Sequence, residues 1–351
     1  MDFQRNQGFF RAFCLMILFC FNQEGKNLAP DSEGPSDYHR GVSFFQNGQY
    51  DLAEKALLEA HKDAQTATDA SYQLGCVYVV TEQWDKAETV LNEFLATRPR
   101  SAEGLYLLGY AFFRQGKYTE SVSTLLQSLQ HKPDNAEAHR ILGLDYFQLN
   151  RWEAAQQELK TAVELNPQLT EAHYFLGRIY YTRNRFNQAF NSFETTIRLD
   201  PQSMKAHDNL GLTLDALGRF DDAVRAYQKA IELNEQLPKK SKWPYYNLGE
   251  LLFKHNQITQ SIPCYQKALM LDEGWAQARV ALGKALLKDG KEQQALAEFQ
   301  TASRLDPQYS EAHYQLGQLL RRLGLVEAAR EELRLFEASR KKRSSTAPVS
   351  E

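Results

Sequence analysis

Residues 172–177 read Ala172-His173-Tyr174-Phe175-Leu176-Gly177, and a proline, Pro201, closes the same stretch. The Leu-Gly pair at its centre does not occur once. Glycines stand at Gly41, Gly75, Gly109, Gly143, Gly177, Gly211, Gly249, Gly283 and Gly317, and every interval is 34 residues except the 38 between Gly211 and Gly249. A fixed period of this length is the mark of stacked supersecondary units rather than of one globular core.

The positions around the glycine repeat with it. Leucine precedes it in eight of the nine units, with Arg40 the exception in the first. Three residues after it stands a large apolar residue, from Phe44, Tyr78, Phe112, Tyr146 and Tyr180 to Leu320. Twelve after it stands a small one (Ala53, Ala87, Ser121, Ala155 and their equivalents), and four further on a bulky one (Leu57, Leu91, Leu125, Leu159, Phe193, Tyr227, Tyr265, Phe299, Leu333). Spacings of four put each pair on one helix face, so every unit predicts two helices. Glycine and alanine mark where the two axes come close. Turn residues separate the helices at Asn47-Gly48, Gln115-Gly116, Asn184, Leu217-Gly218 and Asp289-Gly290, and Pro99, Pro133, Pro167, Pro201 and Pro307 end second helices.

This pattern resembles the tetratricopeptide repeat, which has Leu-Gly, an aromatic three later, then Ala, Phe and Pro. The resemblance implies an all-α fold, a superhelical solenoid of antiparallel helix pairs, over 34–343. The units fall at 34–67, 68–101, 102–135, 136–169, 170–203, 204–241, 242–275, 276–309 and 310–343. Where the family has tryptophan, four before the glycine, this chain has His139, His173, His207 and His313 or other residues. The four extra residues lie within Glu235–Ser241 and predict a lengthened connection. Pro263 sits early enough in a second helix to be tolerated there with a mild kink. Residues 344–351 are expected to be a disordered tail.

The 351 residues carry a net charge of −3, which argues against a nucleic-acid partner. Cys76 and Cys264 lie five units apart, too far for a disulfide within a linear array. Residues 12–21, Ala-Phe-Cys-Leu-Met-Ile-Leu-Phe-Cys-Phe, are uncharged and follow Arg5 and Arg11. Ten apolar residues are too few to span a bilayer and suit the core of a signal peptide. Segment 1–33 is therefore expected to be a signal peptide or N-terminal anchor with a polar linker. That makes the protein exported or anchored, and any membrane association runs through this segment alone. A cytoplasmic chain is the alternative.

No phosphate loop, nucleophile elbow or metal-spaced Cys/His pair is present, so neither a catalytic site, a cofactor nor a metal is expected. The histidines cannot share zinc, because equivalent positions lie roughly 8–10 Å apart; their expected role is packing at the repeat seam. The resemblance implies a partner protein or peptide in a concave groove lined by the first helices. Its offsets select Tyr72, Tyr106, Tyr110, Phe113, Arg140, Phe147, Tyr174, Phe175, Arg178 and Tyr181, with Val79 and Arg114 beside them. Tyrosine and arginine are common binding anchors. Tyr72, Tyr106 and Tyr174 also fit the family's scaffold consensus, whereas Tyr110, Phe175 and Arg178 depart from it. Lys254, Lys284, Lys288, Arg321 and Arg322 form a candidate anion-binding end, with a solvated polar face as the alternative. A scaffold or adaptor is the main expectation. A structural subunit that self-assembles through its terminal repeats, or a docking arm for a separate enzyme, are the others. The sequence names neither partner nor oligomeric state.

Overall fold

The computed structural model describes residues 36–346. The apolar run at 12–21 and the end of the expected tail, 347–351, lie outside the described residues. The described residues form eighteen α-helices and no strand. They divide into two units at 176/177. Unit 1 holds α1 (Asp37–Gln46), α2 (Tyr50–Ala60), α3 (Ala67–Val80), α4 (Trp84–Thr97), α5 (Ala102–Gln115), α6 (Tyr118–His131), α7 (Ala136–Gln148), α8 (Trp152–Leu165) and the start of α9 (Thr170–Thr182). Unit 2 holds the rest of α9, then α10 (Phe186–Leu199), α11 (Met204–Ala216), α12 (Phe220–Glu235), α13 (Trp243–Lys254), α14 (Ile258–Leu271), α15 (Ala276–Lys288), α16 (Glu292–Leu305), α17 (Ser310–Arg322) and α18 (Val326–Thr346).

Within each unit, successive helices pack as hairpins, α1 on α2 through α7 on α8 and α11 on α12 through α17 on α18. The second helices α2, α4, α6, α10, α12, α14 and α16 also pack on the first helix that follows, and first helices touch first helices. The glycine period explains the hairpins. A Cβ built on Gly41, Gly75, Gly109 or Gly143 would lie 2.5–2.7 Å from the side chain of Leu57, Leu91, Leu125 or Leu159. In unit 2 the same atom on Gly177, Gly211, Gly249, Gly283 or Gly317 would lie 2.5–2.9 Å from Phe193, Tyr227, Tyr265, Phe299 or Leu333. The bulky residue sixteen positions on therefore fills the space where the glycine has no side chain. Leu57, Leu91, Leu125, Leu159, Phe193, Tyr265 and Phe299 are wholly buried there.

The turn inside each hairpin is equally regular. Seven residues after each glycine the backbone enters the left-handed region, at Gly48, Glu82, Gly116, Asn150, Asn184, Gly218, Asn256, Gly290 and Gly324. The next amide then bonds back to the carbonyl of the large apolar residue, as in Gln49 N to Phe44 O (2.9 Å) and Arg151 N to Tyr146 O (2.8 Å). This is the Schellman closure that favours glycine or asparagine at the left-handed position. Glu82 is the one departure.

The four extra residues lengthen the connection between α12 and α13, as the sequence predicts. Buried Asn234 brackets it, donating to Ser241 O (2.8 Å) and accepting from Ser241 N (2.7 Å). α14 continues through Pro263, and α18 runs to Thr346, three residues into the segment expected to be a tail. The array cysteines, Cys76 and Cys264, are free thiols. Among the described residues no helix is long and apolar enough to cross a membrane.

Gly143→Leu should lower the unfolding free energy of unit 1 by about 3 kcal/mol, read as a lower denaturation midpoint. Glu82→Gly removes left-handed strain at the cost of backbone entropy, and should raise stability by about 0.5–1 kcal/mol in the same measurement.

Candidate functional site on the first-helix face

The ten residues selected for the groove divide between the units. Eight lie in unit 1, and Arg178 and Tyr181 lie in unit 2. In unit 1, Tyr72, Tyr106, Tyr110 and Phe147 are only 3%, 1%, 6% and 9% exposed. Their rings are part of the wall and leave little surface for a partner. Tyr72 packs at 5.0 Å on Phe94, the second-helix phenylalanine of its own repeat. Phe113, Tyr174 and Phe175 keep partial exposure, while Arg140 is largely covered.

A recurring aromatic contact covers Phe147 and supports Phe113. The residue four after the glycine meets the residue nine after it, across the hairpin turn. The pairs are Phe45–Tyr50 (5.7 Å), Phe113–Tyr118 (6.2 Å) and Phe147–Trp152 (5.1 Å) in unit 1, and Tyr181–Phe186 (5.6 Å) in unit 2. These aromatics hold the end of a first helix against the start of its second. Sequence reasoning missed their partners, although Tyr50, Trp84, Tyr118, Trp152, Phe186 and Phe220 all stand nine after a glycine.

Two arginines of unit 1 are fixed in different ways. The Arg114 guanidinium stacks 4.5 Å from the Trp84 ring centroid, donates to the Tyr110 hydroxyl (2.9 Å) and lies 3.5 Å from Glu82. About a quarter of it stays exposed, at 28%. Arg140 lies between Glu137 (2.6 Å) and Glu171, pairing with both. Its charge is spent inside the protein, so the role left to it is structural. Near it, Phe175 meets Phe147 edge-on at 4.9 Å and Tyr174 at 5.4 Å. The partly exposed elements of the unit 1 face are thus Phe113, Arg114, Tyr174 and Phe175.

In unit 2 Arg178 and Tyr181 are partly exposed. Burial raises the Tyr181 pKa, and the Asp215 carboxylate adds to the effect. The five cations of the candidate anion site are mostly matched. Lys254 meets Asp215 (2.8 Å), Lys284 meets Glu311 (4.0 Å) and Arg322 meets Glu292 (2.6 Å). Arg321 donates to Gln318 (2.6 Å), and Lys288 lies 5.3 Å from the Phe253 ring centroid. The field at this end is therefore weaker than five cations suggest.

The histidines in the tryptophan slot have a specific task. His139, His173, His207 and His313 each place Nε2 3.0–3.2 Å from the carbonyl of the proline six residues earlier. Each ring ties the start of a first helix to the loop that precedes it. His139 and His313 also place Nδ1 2.6 and 2.7 Å from Glu158 and Glu332. Carbonyls and carboxylates only accept, so at His139 both bonds together require a doubly protonated ring. His207 has no such carboxylate bond; burial lowers its pKa, only partly opposed by the Pro201 carbonyl. Among the described residues no three His, Cys, Asp or Glu side chains are placed to share an ion.

Because Tyr106 is wall, Tyr106→Ala should cost about 3–5 kcal/mol of unit 1 stability, measured by denaturation. Phe113→Ala, at a partly exposed position, should cost less than half of that.

Family models for the tetratricopeptide repeat match residues 72–137, 170–203 and 202–274, and a TPR repeat model matches 143–182 and 283–324. A tetratricopeptide repeat protein from Parabacteroides merdae ATCC 43184 is similar in structure over 72% of this chain and 98% of its own, with 19% identity and a TM-score of 0.53, a likeness of fold. MamA is similar over 48% of this chain and 92% of its own, at 27% identity and a TM-score of 0.45. YrrB, a TPR protein with an unusual peptide-binding site, is similar over 54% of this chain and 96% of its own, at 20% identity and a TM-score of 0.45. No curated protein matches the chain. The family models together span more than half of the sequence, and the chain belongs to the tetratricopeptide repeat family.

Proposed function

We propose that this protein is a non-catalytic interaction scaffold, and that an extended or helical segment of a partner protein lies along the first-helix face of unit 1. The observation that carries the reading is the contrast on that face. Phe113, Tyr174 and Phe175 keep exposed surface among buried tyrosines, and Arg114, next to Phe113 in the chain, is held by Trp84 and Tyr110. Aromatic area on a fixed backbone is gained with little loss of side-chain freedom, and a preset guanidinium adds direction. The buried tyrosines act by holding the shape of the face. Export through the apolar run at 12–21 belongs to the same proposal, since it decides which partners the face can meet.

A second reading has an observation of its own. Leu325 and Val326, at the turn of the last hairpin, are 51% and 53% exposed, and Val326 lines a surface cavity of about 420 Å³ with Arg321 of α17 and Leu333 and Glu337 of α18. Self-assembly through this end would cover them. Mass measured over a range of concentrations decides between the readings: a rise abolished by Leu325→Glu with Val326→Glu supports assembly.

For the scaffold reading, a photo-crosslinker replaces Phe175 or Phe113, and a control replaces exposed Gln130. The same protein should be captured at 175 and 113 and not at 130. Phe175→Ala should then weaken the purified partner segment by about 1–3 kcal/mol in calorimetry. Equal capture at position 130, or unchanged affinity, rejects this face as the site.

A further inference from the structure

One polar pair interrupts an otherwise apolar seam in unit 1. Where a second helix meets the following first helix, the residue two after the glycine is buried, as with Val77 and Ala111. In the fourth repeat that position is Asp145, with no exposed surface, facing equally buried Ser121 on α6. The Ser121 hydroxyl lies 2.9 Å from Gly109 O and 2.6 Å from Asp145 Oδ2. A hydroxyl has one proton and can donate to only one of them. Both contacts are hydrogen bonds at once only if Ser121 donates to Gly109 and Asp145 carries the proton that it donates to Ser121. Asp145 Oδ1 is buried and has no hydrogen-bond partner among the described residues, which suits the carbonyl oxygen of a neutral acid and not half of a carboxylate.

A second bond on the same helix has the same requirement. His139, six residues earlier, contacts Glu158 on α8 and the Pro133 carbonyl, and both bonds form only when both ring nitrogens are protonated.

We propose that α7 is a proton-held joint of unit 1, fastened to α6 through Asp145–Ser121 and to α8 through His139–Glu158, and that deprotonation loosens both sides of it together.

The surroundings of α7 favour this. From α6, Ser121 is the polar group that meets Asp145. Tyr146, beside it on α7, feels Glu158 and Arg151 as well as Asp145, and its own pKa is raised first by burial. Arg140 is neutralised by Glu137 and by Glu171 on α9, with the Tyr106 hydroxyl of α5 nearby, so it offers no counter-charge to Asp145. Burial pushes Asp145 up to about 7. An aspartate in an unfolded chain titrates near ~3.9. Stability from a raised carboxyl is present in full below the unfolded value and is lost as pH climbs to about 7. Burial alone would lower the His139 pKa, but the Glu158 and Pro133 bonds leave it raised. That contribution too is present at low pH and lost as pH rises through the raised value. The two groups act in the same direction.

Hydrogen exchange of the full chain, corrected for intrinsic rates, tests the joint at pH 5.5 and 8.0. Peptides from α6 and α7 should lose protection by ~10-fold or more at the higher pH. Peptides from α15, which contains no Asp, Glu, His or Cys, serve as reference. Asp145→Asn, which cannot ionise, should abolish most of the difference. A change shared equally with α15, or an undiminished change in Asp145→Asn, overturns the proposal. The carboxyl ¹³C resonance of labelled Asp145 gives an independent reading. A midpoint near 7 is expected, and one below 5 refutes the joint. Should Asp145→Asn fail to fold, Ser121→Ala identifies that resonance by moving it.

Discussion

Everything regular in this protein depends on one steric contact, between a glycine and the bulky residue sixteen positions later. A Cβ at any of the nine glycines would stand inside normal contact distance of that side chain. Because the glycine lies on the first helix and its partner on the second, the contact fixes how closely each hairpin closes. Closure sets where the turn falls, and the left-handed residue follows seven after the glycine without exception. The aromatic pairs across the turn follow from the same geometry. Each hairpin then offers a constant shape to its neighbour, which is what lets units stack.

That contact is legible in sequence because it needs residue types that nothing else at those positions needs. The period, the two helices per unit and the insertion before α13 could all be read from it. The left-handed positions were legible only where glycine or asparagine occupied a recognised turn pair. Glu82 gives no signal, since the surrounding hairpin imposes its conformation against its own preference. The end of α18 was misplaced by three residues for a related reason: a helix terminus lacking glycine or proline leaves no mark.

The site was less legible than the fold, and the physical cause is the aromatic side chain itself. Tyrosine serves equally as a buried filler and as an exposed anchor, and offsets along one helix do not say what the next helix covers. Tyr106 and Phe175 come from the same kind of pattern, yet neighbouring helices seal the first and leave part of the second open. The arginines divide likewise. Arg140 looked available until Glu137 and Glu171 were seen on either side of it, whereas Arg114 is presented by Trp84, a residue the groove offsets ignored. Burial and pairing between units of a repeat are properties of two units at once, and a one-unit consensus does not contain them.

The same dependence on pairs of units explains how the array can hold polar groups in its seams. In a globular core a buried carboxyl would strain packing shared by the whole domain. In a repeat array each unit touches only its neighbours, so the energetic cost of Asp145 stays at the boundary of the third and fourth repeats. The equivalent positions in the two preceding repeats, Val77 and Ala111, are buried and apolar. Local cost is also local control. A change in protonation at one seam alters how firmly two units hold together, and it reaches the hairpin itself only through the Ser121 bond to the Gly109 carbonyl. The fold therefore separates what must be constant, the shape of the hairpin, from what can vary, the strength of the joint between hairpins.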